Sequence, residues 1–224
     1  MGKSVLVTGF EPFLDLPINP TQTIVEQLDG TVAGNIRFYG RILPVDYDKI
    51  EKPLISYINR VKPDLIIGTG LAAGRAKISI EKIAINYKYS QEPDNAGKRM
   101  RGERIDKDSV EGSFSLLEVE RLVEELNNHG IPAEISLSAG AYLCNYAMFI
   151  IVREAKKRGI AGGFIHFPAD TLLSSKMTAK SFPSLDIQIM KKSIRLVAEY
   201  ELGDGERKIF SPQKTNKTGA KRVH

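Results

Sequence analysis

This chain is poor in the residues that usually announce a metal centre or a covalent staple. It has one cysteine, three histidines and no tryptophan in 224 residues. A single cysteine cannot close an internal disulfide, which excludes a disulfide-stapled secreted scaffold. One cysteine and scattered histidines also lack the paired spacings that build a zinc site, so no metal is expected. No apolar run is long enough to span a bilayer, and the opening MGKSVLVTG runs into a strand pattern without a long apolar leader. The expectation is a cytoplasmic protein without membrane contact.

Acidic residues are missing from one stretch. From Arg207 onward there are six basic residues and no acidic one. Removing those six from the 32 basic residues leaves 26 against 27 acidic, so a net charge of +5 becomes a body at −1. The basicity belongs to a tail, 207–224, whose polar composition predicts a flexible terminus. No aromatic residue interleaves with the charges of its last part, SPQKTNKTGAKRVH, so nucleic acid is not expected as a partner.

What remains is an ordinary globular composition, 42% hydrophobic and 26% charged, long enough for one well-cored domain. No internal repeat or linker composition divides residues 1–206. Strand patterns are read at Ser4–Thr8, Ile36–Leu43, Leu65–Thr69, the extended KISIEKIAIN, the run up to Ser138 and Gly163–Phe167. Helix patterns are read at Thr21–Leu28, Tyr47–Val61, Leu116–Asn128, after Cys144, and near Pro183–Tyr200. This βαβα rhythm predicts a mixed, largely parallel sheet with helices on both faces. Residues 88–112 are charged and rich in turn formers, which fits a lid, a subunit contact or disorder.

The one cysteine falls where a strand gives way to a helix. Small residues Ala139-Gly140-Ala141 allow a turn, and Ala147, Met148, Ile151, Val152 and Ala155 then recur at helical spacing. A thiol in the first turn of a helix faces the positive end of the macrodipole, and the thiolate is the nucleophile. Lone cysteines are more often core fillers, so a partner base decides between the two readings. His129 sits at a helix end and suits a C-terminal dipole partner, and His224 is terminal. His166 follows the apolar run GGFI, at the carboxyl end of a strand, where open α/β sheets gather their ligands. Glu81 interrupts the apolar ISIEKIAIN, where a carboxylate could orient His166, or else lie on an exposed edge beside Lys82. A Cys-His-Glu trio performs acyl transfer, with a pH dependence belonging to the Cys144–His166 couple. The stretch GTGLAAGR, 68–75, fits no phosphate-loop pattern and reads as a cleft loop after a strand.

Six motifs taken in order are familiar. VLVTGFEPF at 5–13 with NP at 19–20, GLAAGR at 70–75, IEKIAIN at 80–86, PDNAG at 93–97, SAGAYLCN at 138–145 and FIHFP at 164–168 resemble the pyroglutamyl-peptidase I family of cysteine peptidases. The resemblance implies a single-domain α/β/α sandwich that hydrolyses an N-terminal pyroglutamyl residue from peptides, with no cofactor. It implies Glu81, Cys144 and His166 as the triad, Phe10 and Phe13 as the aromatic holders of the lactam ring, and Asn19 as a pocket residue. It also implies a homo-oligomer, often a tetramer. Pyroglutamate is small, flat and uncharged, which suits aromatic faces and a few polar readers. A free ammonium in such a slot would lose its solvation at a cost of several kcal/mol.

The chain departs from the family pattern at several positions. Gln91 stands where an arginine associated with the oxyanion site is usual, and Lys88, Lys98 or Arg99 could supply the charge instead. Ala141 replaces a threonine, Lys82 an arginine, and Leu71 a residue that is polar in some members. Two other readings follow from these departures and from the fold. One is a weak or inactive homologue that binds pyroglutamyl peptides. The other is a nucleoside-phosphorylase-like enzyme, for which no convincing phosphate site is present.

Overall fold

The computed structural model describes residues 2–177 and 181–203; the basic tail at 207–224 lies outside them. In chain order the strands are β1 (Lys3–Phe10), β2 (Val32–Ala33), β3 (Ile36–Leu43), β4 (Leu65–Leu71), β5 (Ile78–Glu81), β6 (Ile83–Ile85), β7 (Lys88–Tyr89), β8 (Arg101–Glu103), β9 (Gly112–Phe114), β10 (Ala133–Ser136), β11 (Ala161–Phe167), β12 (Ala169–Asp170) and β13 (Ser184–Leu185). The helices are α1 (Pro20–Leu28), α2 (Glu51–Val61), α3 (Val119–Asn128), α4 (Leu143–Arg158), α5 (Thr171–Lys176) and α6 (Ile187–Leu202).

Seven strands form one sheet in the order β10-β5-β11-β4-β1-β3-β2. The four central strands β11, β4, β1 and β3 run parallel. β5 runs antiparallel to β11, and β10 follows β5. β11, β4 and β1 are buried along nearly their whole length because helices cover both faces, whereas β3 alternates buried and more exposed positions. Alternation along each strand divides the core in two. Val5, Val7, Leu65, Ile67, Ile78, Ile80, Ile165 and Phe167 face α1, α3 and α6. Leu6, Ile66 and Phe164 face α2 and α4. The chain is thus a three-layer α/β/α sandwich, and the second face carries the site.

Close approach of helix to sheet is built into the sequence. A methyl group on Gly40 of β3 would come 2.1 Å from the Val25 carbonyl oxygen of α1, so only glycine fits there. Asn19 caps α1 by accepting from the Thr21 N–H, with Pro20 in the first helical position. α2 ends at Lys62 in the left-handed conformation (φ 50°) just before Pro63. α4 ends in the same way at Gly159 (φ 65°).

Several boundaries differ from the sequence reading. The helix expected from Tyr47 begins at Glu51. Asp46 Oδ1 accepts from the Asp48 and Lys49 N–H groups, and this Asx-type turn holds 46–50 out of the helix. KISIEKIAIN breaks at Lys82. β5 stays in the main sheet, whereas β6 leaves to pair with β9. The strand expected up to Ser138 ends at Ser136, and its Ile135 and Leu137 are exposed. α3 and α6 begin at Val119 and Ile187, later than expected, and the short α5 had no periodic signal in the sequence. Segment 88–112 is tied to the body. Asn86 Oδ1 accepts from the Ile105 and Asp106 N–H groups, and buried Asp94 accepts from Tyr47, Ala96 and Lys98.

Candidate active site

Strand alternation puts two groups on the α4 face of the sheet. His166 follows Phe164 by two residues on β11, and Glu81 follows Ser79 by two on β5, so each points away from the first core cluster. His166 pairs in register with Gly70 of β4. Cys144 is the second residue of α4, which begins above that strand. A methyl group on Gly70 would stand 2.9 Å from Cys144 Sγ, so the missing side chain makes the seat for the sulfur. The thiol, the imidazole and the carboxylate therefore meet at one edge of the sheet.

Glu81 Oε1 lies 2.8 Å from His166 Nδ1, with both groups buried. The carboxylate fixes the tautomer: Nδ1 carries its proton toward Glu81, and Nε2 is left for the thiol. Cys144 is the neighbour that acts most strongly on the His166 charge. Burial disfavours the imidazolium, but the charge of Cys144, its hydrogen bond, and then Glu81 outweigh burial and lift the His166 pKa to about 9. Burial likewise opposes ionisation of Glu81. Hydrogen bonding and charge at His166, followed by Ser136 and Arg75, reverse this and hold its carboxyl below the usual range. The Phe164 ring packs edge-on against the imidazole at 5.1 Å and shields it from solvent.

Arg75 is a member of this cluster that the sequence reading left as part of a cleft loop. Its Nη1 donates to the same Glu81 Oε1 at 2.8 Å, and Nη2 reaches the Ser138 carbonyl at 3.5 Å. The signal available in the sequence was a cation, Arg75, six residues before a carboxylate in an apolar strand. Asn145 is a second. It is fully buried beside the nucleophile candidate. Its Oδ1 accepts from the Ile85 N–H, and its Nδ2 donates to the Ile85 and Tyr87 carbonyls.

The start of α4 offers donors. Tyr142 in the N-cap position makes no side-chain cap, so the first-turn N–H groups face the site uncapped. Of the residues expected around the ring pocket, half-buried Phe13 lies 6.3 Å from the Tyr142 ring, two residues from Cys144. Phe10 is buried at the end of β1. Asn19 is committed to local structure, accepting from Thr21 N and Oγ1 and donating to the Glu11 carbonyl. Gln91 is exposed, with its carbonyl held by Arg99 Nε at 2.9 Å. Lys98 pairs with Asp48 at 2.6 Å, and Lys88 faces Glu103 at 3.8 Å. His129, outside the site, caps α3, with Nδ1 2.9 Å from the Glu125 carbonyl oxygen. Among the described residues no cluster of three or more His, Cys, Asp or Glu side chains could hold a metal ion.

Fold and site together define a three-layer α/β protein with its reactive groups at the strand ends. The family model described as pyroglutamyl peptidase matches residues 3–202, and the chain belongs to that family of hydrolases. A pyrrolidone-carboxylate peptidase of Saccharolobus islandicus is 51% identical over 199 residues, covering 89% of this chain and 95% of the relative. The pyrrolidone-carboxylate peptidase of Pyrococcus furiosus is 38% identical over 202 residues, covering 88% and 97%. Among solved structures, a mutant pyrrolidone carboxyl peptidase from P. furiosus superposes with a TM-score of 0.86 at 37% identity, covering 90% of this chain and 99% of that one.

Proposed function

We propose that this protein is a cysteine exopeptidase that removes the N-terminal pyroglutamyl residue from peptides. The observation that carries the reading is the buried Glu81–His166 pair beside Cys144, whose sulfur is seated over Gly70, in a member of the pyroglutamyl peptidase family. His166 Nε2 takes the thiol proton, and the Cys144 thiolate attacks the pyroglutamyl carbonyl carbon. The C–S bond forms, and the carbonyl opens to an oxyanion beside the uncapped N–H groups of α4. The oxyanion collapses, the C–N bond breaks, and His166 Nε2 gives its proton to the leaving amine. His166 then takes a proton from water, which attacks the thioester and releases pyroglutamate while the thiol is restored. Glu81 holds the imidazole and balances its charge throughout.

Phe10 and Phe13 are read as the aromatic walls of the lactam pocket, and Asn19 as the residue that frames it by fixing Glu11 and the start of α1. No helix among the described residues is long and apolar enough to cross a membrane. A cytoplasmic enzyme assembled as a homo-oligomer is proposed with this reading. Phe114, Ile135 and Leu137 are exposed on neighbouring edge elements and would be covered in such an assembly. The test compares fluorophore release from a pyroglutamyl amide with release from the matching prolyl and glutamyl amides. Rapid release from the first alone is expected; equal rates on all three would reject the lactam reading.

A further inference from the structure

One loop carries two parts of the site. It leaves β4 after Leu71, one residue beyond Gly70, the seat of the sulfur, and returns at β5, which ends in Glu81. Backbone bonds fix its course. The Ala72 N–H donates to the Phe167 carbonyl at 2.8 Å, and the Arg75 N–H to the Ala72 carbonyl at 2.9 Å. This turn brings the Arg75 guanidinium to Glu81, where Nη1 donates to Oε1 at 2.8 Å. The same oxygen lies 2.8 Å from His166 Nδ1. Nη2 lies 3.5 Å from the carbonyl oxygen of Ser138, in the loop that leads into Cys144.

A buried carboxylate needs a cation. The Glu81 side chain is 0% exposed, whereas 31% of the Arg75 side chain meets solvent. Three groups face Glu81: His166 from β11, with Cys144 of α4 beside it, Ser136 from β10, and Arg75 from the loop. The neighbouring charges are engaged elsewhere, Glu134 with Ser79 Oγ and Lys82 with Glu120. Burial opposes the Glu81 charge, and hydrogen bonding and charge at His166, then Ser136 and Arg75, outweigh it. These partners differ in a respect that matters to a reaction. Ser136 is neutral, and His166 gains and loses its proton within each turnover. Of the three, Arg75 alone is a cation at every stage, because a guanidinium does not deprotonate in a protein. When His166 has given its proton away, Glu81 without Arg75 would be a buried charge lacking compensation.

We propose that Arg75 is a positioning residue of the reaction: acting through Glu81, its guanidinium keeps the carboxylate aimed at His166 Nδ1 and ties it to the loop that leads into Cys144. This inference rests on the hydrolytic reading above. Arg75 does not act on the reacting atoms itself, so its loss shows in kcat rather than KM. Removing a fixed cation also makes each neighbouring group hold its proton more tightly, so both edges of the pH profile move to higher pH. The test compares pyroglutamyl-amide kinetics of wild type, Arg75→Gln and Arg75→Lys across pH. Arg75→Gln is expected to lose roughly tenfold in kcat, with KM within about twofold of wild type and both edges moved up. Arg75→Lys keeps the charge but not the two-pronged reach, so its edges stay in place and its kcat recovers in part. Unmoved edges in Arg75→Gln would overturn the proposal, as would an unchanged kcat, or edges that move equally in Arg75→Lys. If circular dichroism shows Arg75→Gln unfolded, Arg75→Lys decides alone: a reduced kcat at unchanged KM with the edges in place supports the role, and a wild-type kcat overturns it. Wild-type protein without turnover rejects the hydrolytic reading and leaves Arg75 to be judged on Cys144, the one thiol in the chain. The rise of its alkylation by iodoacetamide with pH should then move to higher pH in Arg75→Gln, and an unmoved rise overturns the proposal.

Discussion

A methyl group on Gly70 would stand 2.9 Å from the Cys144 sulfur and 3.0 Å from the Phe164 ring, so the sulfur or the ring must shift. Gly70→Ala is therefore expected to displace Sγ from His166. Activity falls by roughly a hundredfold, as for other ångström-scale misplacements, while stability drops by about 1–3 kcal/mol from overpacking. Kinetics beside a urea melt would check this, and a near wild-type rate would mean the sulfur sits elsewhere. Charge at the same point sets the pH behaviour. The His166 pKa of about 9 is above its ordinary 6.5, so its stabilising contribution is full below 6.5 and fades as pH rises through about 9. The Glu81 carboxyl is held below its ordinary 4.5, so its contribution is present above that value and fades at lower pH. Activity should decline above about pH 9 as the His166 proton is lost from the couple. Glu81→Gln removes the carboxylate charge, and the alkaline edge of the profile should move to lower pH with a rate loss of roughly a hundredfold or more. An unmoved edge would show that Glu81 does not hold the imidazolium. Glu81, Cys144 and His166 were legible as residues, because a charge in an apolar strand, a thiol at a helix start and a histidine at a strand end each break a pattern. Arg75 was not, since its Glu81 contact depends on how the loop from Leu71 to Ile78 folds back.

Elements place these residues by mechanisms of unequal visibility. Ile36–Leu43 agrees with its strand pattern residue for residue, because buried Ile36 and Phe38 alternate with more exposed Arg37 and Tyr39. The start of α2 was hidden, because one aspartate side chain captures two backbone N–H groups and delays the helix. The break at Lys82 was hidden for another reason: both halves of KISIEKIAIN are apolar, and only pairing with β9 rather than β10 separates them. Asn145 links the two halves of the site at this scale. It fastens Ile85 and Tyr87 to the first turn of α4 by three hydrogen bonds, and that turn carries Cys144. Asn145→Ala should cost about 3 kcal/mol by leaving the Ile85 and Tyr87 groups unpaired. Loss of stability in a chemical melt together with reduced kcat is expected. A variant as stable as wild type would mean that water replaces the side chain at no cost.

The whole molecule presents an uneven surface. Phe114 is 65% exposed and Leu137 is 67% exposed, and both flank the strand end where Lys82 hydrogen-bonds across to Ser136. The alternation in Ile135 and Leu137 predicted a strand, which ends at Ser136, but said nothing of what would cover these side chains, because a side chain facing solvent in one chain can be core in an assembly. Light scattering should give a mass above that of one chain, and Leu137→Lys should shift it toward the monomer without altering the fold. A wild-type mass of one chain would remove the proposed assembly. The central claim is narrower: hydrolysis proceeds through the Cys144 sulfur. It is tested most directly by pyroglutamyl-amide turnover in Cys144→Ala, with folding verified by circular dichroism. The account predicts a folded protein with no turnover above background, whereas turnover at the wild-type rate would contradict it.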